Sequence, residues 1–252
     1  MPANIAAMAI LQTENLVKKY GKRTVVDHVG FHVEPAEIVG LLGRNGAGKT
    51  TSFRMTTGMT RPDGGNVFFD EEDVTDRPMY QRARLGMGYL AQEPSVFQRL
   101  SVEDNLYAIL ETRRLDKAGR QKRAEELMEQ FGLTKLRGQQ ARTLSGGERR
   151  KLEIARALIT EPSLILLDEP FSGVDPVAVE DLQKEILGLR EERGIAMLIT
   201  DHNVERTLEI VDRAYVIFEG KVFAEGTPKE IINNEQVRKL YLGSTFKGDE
   251  FD

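Results

Sequence analysis

The residues best suited to chemistry in this sequence form a glycine-rich run that ends in lysine and threonine. Residues 43–50 read Gly-Arg-Asn-Gly-Ala-Gly-Lys-Thr and fit the pattern G-x-x-x-x-G-K-[ST] at every position. Glycines let successive backbone N–H groups point at phosphate oxygens, and a following helix N-terminus adds positive partial charge. Lys49 would reach the β and γ phosphates, and the Thr50 hydroxyl would bind Mg²⁺. The pattern predicts a nucleoside triphosphate site whose contacts are Gly43, Arg44, Asn45, Gly46, Ala47, Gly48, Lys49, Thr50 and Thr51.

A second candidate site consists of two neighbouring carboxylates, Asp168 and Glu169, which directly follow the apolar run Leu164–Leu167. A charge at the end of a buried strand is costly unless it has a partner. Asp168 is therefore suited to hold Mg²⁺, as the corresponding aspartate does in P-loop nucleotide triphosphatases. Glu169 could orient or deprotonate the water that attacks the γ-phosphate. A merely solvated acidic loop is the alternative, and the preceding P-loop makes it the weaker interpretation.

The elements that must position these residues follow an alternating pattern. Short apolar runs of β character alternate with helical patterns, which predicts an α/β fold with a mainly parallel sheet. The strands are expected at Ile38–Leu42, Met87–Ala91, Leu164–Leu167 and Ile195–Thr200, with a hairpin of Tyr215–Phe218 and Lys221–Ala224. Residues from about 95 to 162 are mainly helical and predict a helical subdomain inserted into the α/β core. Since ligands of parallel sheets bind at the carboxyl ends of the strands, the motifs should converge there.

Composition and charge exclude several function classes. The 252 residues carry 35 Lys and Arg against 40 Asp and Glu, a net charge of −5, which argues against a nucleic-acid-coating protein. The absence of cysteine excludes disulfides, cysteine-ligated metals and thiol catalysis. The apolar runs are much shorter than the about 20 residues of a spanning helix, and no basic region precedes a signal-peptide core. Residues 1–7 and 246–252 are expected to be flexible ends.

A third motif connects these centres to a known family. Leu144-Ser-Gly-Gly-Glu148 opens a predicted helix and lies about 20 residues before Asp168. Ser145, Gly146 and Gly147 can present a hydroxyl and bare backbone N–H groups to phosphate. With the P-loop and the carboxylate pair, the motif makes nearly the whole chain resemble the ATP-binding-cassette (ABC) ATPases. The resemblance implies an ATP hydrolase that uses Mg²⁺ and forms one nucleotide-binding domain over residues 8–245. It implies a P-loop core, an antiparallel β subdomain and the inserted helical subdomain.

The resemblance also implies roles for individual residues. In this family the signature closes over the ATP of a second subunit, so a homodimer is expected in the ATP-bound state. The residues expected to act in trans are Ser145, Gly146, Gly147, Glu148 and Asp175. Tyr20 would stack on adenine, with Val25 as an added apolar contact. The expected catalytic residues are Glu169, His202 and Gln92, and the expected Mg²⁺ ligands are Thr50, Gln92 and Asp168.

Within the family, several stretches resemble the ATPases of bacterial lipopolysaccharide-export transporters. They include Arg99-Leu-Ser-Val102, Thr200-Asp-His-Asn-Val204 and Tyr241-Leu-Gly243. This likeness implies two transmembrane partner subunits, a position at the cytoplasmic face of the inner membrane and membrane contact only through those partners. The segment around Gln92–Leu100 would line a groove on the helical subdomain, where Phe97 would pack against a short coupling helix of a transmembrane subunit, unless it belongs to the core. The alternatives are the ATPase of a branched-chain amino-acid importer and, less favoured, a soluble ABC ATPase outside transport.

Overall fold

The computed structural model of the chain describes residues 9–242, so the expected flexible ends lie outside the described residues. The strands are β1 (Leu11–Tyr20), β2 (Arg23–Val33), β3 (Ile38–Leu42), β4 (Gly64–Phe69), β5 (Glu72–Asp73), β6 (Met87–Leu90), β7 (Leu164–Asp168), β8 (Ala196–Thr200), β9 (Arg213–Phe218) and β10 (Lys221–Gly226). The helices are α1 (Lys49–Thr57), α2 (Met79–Leu85), α3 (Val102–Leu110), α4 (Lys117–Gln130), α5 (Gly146–Ala157), α6 (Pro176–Arg193), α7 (Val204–Leu208), α8 (Pro228–Asn233) and α9 (Glu235–Val237). A π-helical turn over Arg238–Leu242 follows α9.

The core is a six-stranded sheet in the order β10-β9-β3-β8-β7-β6. All neighbouring strands are parallel except β10, which pairs antiparallel with β9. Every residue of β3, β7 and β8 is buried, as expected for parallel strands that are covered on both faces. The expected α/β class with a mainly parallel sheet is confirmed.

The register of the core sheet aligns the carboxyl ends of its strands. Leu90 pairs with Leu167, and Asp168 pairs with Thr200. Strand β7 thus runs one residue further than the apolar run predicts, because Asp168 continues the ladder with β8. The loops that follow β3, β6, β7 and β8 therefore start at one edge of the sheet.

A second, four-stranded sheet in the order β2-β1-β4-β5 is antiparallel throughout. Its buried face joins one side of the core sheet in a shared hydrophobic cluster, in which Val26 and Val29 pack with Val39 and Leu41. This is the antiparallel β subdomain that the resemblance implied. It brings the start of β2 beside the P-loop, where the Val25 carbonyl oxygen faces Gly48.

Helices α3, α4 and α5 occupy the connection between the adjacent strands β6 and β7. Their inward faces carry Leu106, Leu127 and Leu152, which are fully buried in the cluster that also covers the other face of the core sheet. A long helical excursion between two paired strands leaves the sheet continuous and places α5 directly before β7.

Within residues 9–242, no helix has both the length and the apolar character needed to cross a membrane.

Candidate active site

The P-loop owes its shape to glycines that lie against neighbouring backbone. Gly43 has a φ of +148°, and a Cβ there would collide with the carbonyl oxygen of Ile217 at the end of β9. Gly48 has a φ of +109°, and a Cβ there would lie 2.8 Å from the carbonyl oxygen of Val25. Any side chain at either position would push the loop off the sheet. The loop is thus fixed between β2 and β9 before α1 begins at Lys49.

Lys49 is a buried cation whose hydrogen-bond partners among residues 9–242 are carbonyl oxygens. Its side chain is 7% exposed, and Nζ donates to the carbonyl oxygens of Gly43 and of Arg44, the latter at 3.2 Å. Burial lowers the pKa of Lys49, and the nearby carboxylates of Glu169, Asp201 and Asp168 oppose that shift. An ammonium held in this way is suited to receive an anion, so the residues present fit a triphosphate.

Two adjoining cavities lie along the P-loop. One, of about 480 Å³, lies beside β2 and the turn after β9, and its lining includes Arg23, Thr24 and Phe218. The other, of about 270 Å³, extends over Lys49–Thr51 to Glu169. Both cavities are also lined by Val25, Arg44, Asn45 and Gly46. Together they form an elongated site with a phosphate end and an outer end.

Tyr20, the residue expected to stack on adenine, does not line either cavity but pairs with a residue that does. It ends β1 opposite Arg23, whose side chain lines the larger cavity. The Tyr20 ring is 54% exposed, and the Lys18 ammonium lies 5.9 Å from its centroid. An open ring at this edge has a free face for an aromatic ligand.

Asp168 is a buried carboxylate that forms no ion pair within the described residues 9–242. It is 5% exposed at the end of β7. Burial raises the pKa of Asp168, the charge of Glu169 adds to the rise, and Arg54 and the Tyr89 hydroxyl oppose it. An underneutralised carboxylate beside the P-loop fits a divalent cation, for which carboxylate and hydroxyl oxygens are the usual ligands.

Glu169 is the centre of a small polar cluster. Its carboxylate accepts a 2.7 Å hydrogen bond from the Gln92 amide, and His202 Nδ1 lies 3.4 Å from it. The Glu169 backbone has a φ of +47°, and its N–H donates to the Thr200 carbonyl at 2.6 Å. A non-glycine residue held in the left-handed region is a local strain that clusters at functional sites. Residues from the loops after β6, β7 and β8 thus meet at one carboxylate.

Asp201 supports this cluster and was missed by the sequence argument. Its fully buried carboxylate accepts hydrogen bonds from the N–H groups of Phe171 (3.1 Å) and Asn203 (2.8 Å). His202 Nδ1 lies 3.5 Å from the same carboxylate. Burial raises the pKa of Asp201, and the two backbone donors oppose that rise. Asp201 therefore joins the loop after β7, which contains Glu169, to the loop after β8. Only its place before His202 could have suggested it.

The signature residues make hydrogen bonds and packing contacts with other residues of the same chain. Ser145 caps α5 by accepting from the Glu148 N–H, and the Glu148 carboxylate accepts from the Ser145 N–H at 2.8 Å. A Cβ at Gly146 would lie 2.8 Å from the Gly173 carbonyl oxygen. The signature therefore packs against the loop after β7, and the Glu148 carboxylate is engaged in the cap. Sequence reasoning missed this capping box, although the Ser-x-x-Glu spacing contains it.

Gly147 and Asp175 lie where the N-termini of α5 and α6 pack together. A Cβ at Gly147 would lie 2.8 Å from Ala178 Cβ, so α5 and α6 are in close contact at their N-termini. Asp175 caps α6 by accepting from the Ala178 N–H at 3.0 Å. Within the single chain, the residues expected to act in trans thus lie together at the N-termini of α5 and α6.

A buried ion pair connects α5 to the segment that follows β6. The sequence did not predict this pair. Arg150 and Glu153 pair at 2.9 Å, with side chains 7% and 4% exposed. Arg150 donates to the carbonyl oxygen of Ala91 at 2.8 Å, and Glu153 accepts from the Ser95 N–H at 2.6 Å. The loop that begins at Gln92 is therefore fastened to α5. The sequence signal that could have predicted this pair is Glu153, a charged residue within the apolar stripe of α5.

Phe97 lies on the surface of the helical region. Its side chain is 45% exposed, which contradicts the alternative that it is a core residue. The Arg156 guanidinium lies 4.7 Å from the ring centroid. An exposed aromatic ring held by a cation is a typical anchor for a partner.

Comparison with known proteins agrees with this geometry. A family model described as ABC transporter matches residues 26–172. A second model, described as branched-chain amino acid ATP-binding cassette transporter, matches residues 221–247.

Full-length relatives and solved structures point to the same family. The lipopolysaccharide export system ATP-binding protein LptB of Haemophilus influenzae is 52% identical over 95% of this chain and 100% of its own length. The protein of that name from Escherichia coli K12 is 51% identical with the same coverage. The fold is similar to the crystal structure of the ADP conformation of MJ1267, an ATP-binding cassette of an ABC transporter. The TM-score is 0.84 at 30% identity, over 94% of this chain and 99% of that one. The chain therefore belongs to the ABC transporter family, as one of its ATP-hydrolysing subunits.

Proposed function

We propose that this chain powers lipopolysaccharide export as the ATPase subunit of a bacterial ABC transporter. The observation that carries the proposal is identity of 51–52% to lipopolysaccharide-export ATPases along their whole length. The cluster of Gln92, Glu169 and His202 beside the P-loop supports an active enzyme rather than an inert nucleotide binder.

In the proposed reaction, Glu169 accepts a proton from the attacking water. The water oxygen forms a bond to the γ-phosphorus while the bond to the bridging oxygen breaks, and the electron pair leaves on ADP. Gln92 and His202 hold the Glu169 carboxylate and the γ-phosphate in place, and Lys49 neutralises phosphate charge. Thr50, Gln92 and Asp168 would hold Mg²⁺, which would supply further neutralisation of phosphate charge.

Two chains are proposed to close head to tail around two ATP molecules. Ser145, Gly146, Gly147, Glu148 and Asp175 of one chain would face the nucleotide on the P-loop of the other. The helix N-terminus behind Ser145 supports this role, because its N–H groups favour phosphate. Because Glu148 is hydrogen-bonded to Ser145, its proposed part is to hold the signature turn. At the outer end of the site, Tyr20 and Val25 would contact adenine.

Two transmembrane subunits are the proposed partners, reached at the cytoplasmic face of the inner membrane. Exposed Phe97 is the proposed anchor in the groove that receives them. The proposed unit is a single nucleotide-binding domain over residues 8–245, in which the helical subdomain of about 95–162 carries this groove.

The test is affinity purification of the tagged chain from gently solubilised native membranes, followed by mass spectrometry. Two different transmembrane subunits with a periplasmic β-domain are the expected result. A Phe97→Ala variant should recover much less of these transmembrane subunits. The matched control is Tyr80→Ala, which removes another exposed ring and should recover them as the unmodified chain does. Recovery of no membrane protein by the unmodified chain would contradict the proposal.

A second candidate is the ATPase of a branched-chain amino-acid importer. It rests on the match of residues 221–247 to the model of that name. The relatives that match along their whole length weigh against it. Recovery of multi-spanning permeases with a periplasmic amino-acid-binding protein would favour this candidate.

A further inference from the structure

We infer that the buried amide of Asn105 holds the turn 97–101 in the shape that presents Phe97 to the membrane partner. Asn105 is thus a positioning residue for coupling between the ATPase and its transporter. The inference rests on the proposed function, because it takes Phe97 as the partner anchor.

The amide of Asn105 is the inner support of the turn. Asn105 is fully buried in the first turns of α3. Its Oδ1 accepts from the Phe97 N–H at 2.8 Å, and its Nδ2 donates to the carbonyl oxygens of Phe97 (3.0 Å) and Ser101 (2.9 Å). The Leu100 carbonyl lies 3.4 Å from Nδ2. One side chain therefore satisfies polar backbone groups at both ends of the turn.

Only an amide of this length can do so. An aspartate would keep the acceptor for the Phe97 N–H but would lose the donors and bring a charge against carbonyl oxygens. A leucine of similar size would leave the Phe97 N–H without its acceptor and would remove the side-chain donor from carbonyl oxygens that would then keep only their backbone donors. Asn105 is therefore explained by the shape of the turn rather than by helix formation or apolar packing.

The outer side of the turn is what a partner would meet. Phe97 is 45% exposed and Leu100 is 37% exposed, so two apolar side chains face outward. Arg156 covers one face of the Phe97 ring and donates to the Ser95 carbonyl at 2.7 Å. The turn is thus held from inside by Asn105 and at its edge by Arg156. A preordered apolar anchor binds with a smaller entropy loss than a mobile one.

The turn is also joined to the segment that leads into the signature. The Arg142 N–H donates to the Gln98 carbonyl at 3.0 Å, and the Ala141 N–H donates to the Leu100 carbonyl at 3.0 Å. The signature begins at Leu144, two residues after Arg142. A rigid turn can therefore carry a displacement at Phe97 to the signature by a route that does not pass through Gln92.

A fluorescence experiment tests the positioning directly. The sequence contains no tryptophan, so Phe97→Trp introduces a single indole as reporter. Adding Asn105→Asp should raise acrylamide quenching of the indole about twofold or more and lower its residual anisotropy, because the turn loosens. The matched control is Leu110→Ala, a cavity-forming change at the far end of the same helix, where Leu110 is fully buried. Equal quenching in both double variants, or no increase with Asn105→Asp, would overturn the inference.

A binding experiment tests the consequence. The probe is the purified pair of transmembrane subunits in detergent, titrated with the otherwise unmodified ATPase chain at a temperature well below unfolding. Asn105→Asp should weaken binding about tenfold or more, and Leu110→Ala should leave the affinity unchanged. Equal affinities for wild type and Asn105→Asp would contradict the coupling role. If the wild-type chain itself fails to bind, the proposed function is contradicted, and the fluorescence comparison still decides whether Asn105 holds the turn.

Discussion

Gln92 and Glu169 are 77 residues apart in sequence, and the Gln92 amide donates a 2.7 Å hydrogen bond to the Glu169 carboxylate. This bond joins the loop after β6 to the loop after β7. Gln92 also begins the segment that α5 holds through Ser95 and that exposes Phe97. The proposed general base is therefore in direct contact with the start of the proposed partner-facing segment.

Glu169→Gln should block turnover but keep ATP binding. The glutamine retains an oxygen that can accept from Gln92, so the cluster should keep its shape, but it cannot accept the proton of the attacking water. We expect the hydrolysis rate to fall about 10²–10⁴-fold, with a stable dimer in ATP and Mg²⁺ by size-exclusion chromatography. Glu180→Gln, an exposed change on α6, is the control. Wild-type hydrolysis by the Glu169 variant would refute its assignment as base.

Asp168→Asn should stabilise the free protein while it abolishes Mg²⁺-dependent hydrolysis. Burial raises the folded pKa of Asp168 above its ordinary 3.8, so the folded state binds the proton more tightly than the unfolded chain. The free energy of unfolding therefore falls as the pH rises from 3.8 through the folded pKa, and it stays lowered at neutral pH. The neutral asparagine removes this cost, and each kcal/mol regained should raise Tm by about 2–4 °C.

The measurement is a thermal melt of both proteins at pH 7 and at pH 5. The gain in Tm from Asp168→Asn should be larger at pH 7 than at pH 5, because a raised pKa means that the wild-type carboxylate takes up its proton earlier as the pH falls. Asp76→Asn, at a carboxylate that is 72% exposed, is the control for a general charge effect. A lower Tm for Asp168→Asn at pH 7 would show that the carboxylate is stabilised in the free protein.

Gly146→Ala should impair the signature through its own chain. The new Cβ would lie 2.8 Å from the Gly173 carbonyl oxygen, so the start of α5 and the loop after β7 must move apart. Displacements of this size in a positioned site cost about 10–100-fold in rate. Gly138→Ala is the control, because a Cβ there meets nothing within 4 Å. Steady-state ATPase assays compare the two, and equal rates would mean that the packing can relax.

Tyr20→Ala should raise KM for ATP and change kcat little. Loss of ring stacking worth about 0.5–1.5 kcal/mol corresponds to an increase of about 2–10-fold in KM. Tyr20→Phe keeps the ring and should stay near wild type, which separates stacking from the hydroxyl. If Tyr20→Ala and Tyr20→Phe have the same KM for ATP, the exposed Tyr20 ring does not contact the adenine base.

Much of the fold could be predicted because its signals are local. The buried strand before Gly43, the acidic end of Leu164–Leu167 and the glycine at the turn after Phe218 each depend on neighbouring residues alone. The α/β class and the strands of the core sheet follow from such runs, whereas the antiparallel β subdomain was implied only by the family resemblance. Strand ends shifted by one or two residues, as at Asp168, because pairing with another strand decides where a strand stops.

The sequence by itself determined the reaction chemistry, because the P-loop, the Asp168–Glu169 pair and the signature are contiguous motifs whose spacing has a physical reason. Only the tertiary structure decided which distant side chains support them. Asp201 beneath Glu169 and the Arg150–Glu153 pair below the Gln92 loop act across elements that are far apart in the chain. So does Asn105 inside the Phe97 turn. Such contacts depend on how helices and sheets pack, and periodicity within one element does not record them.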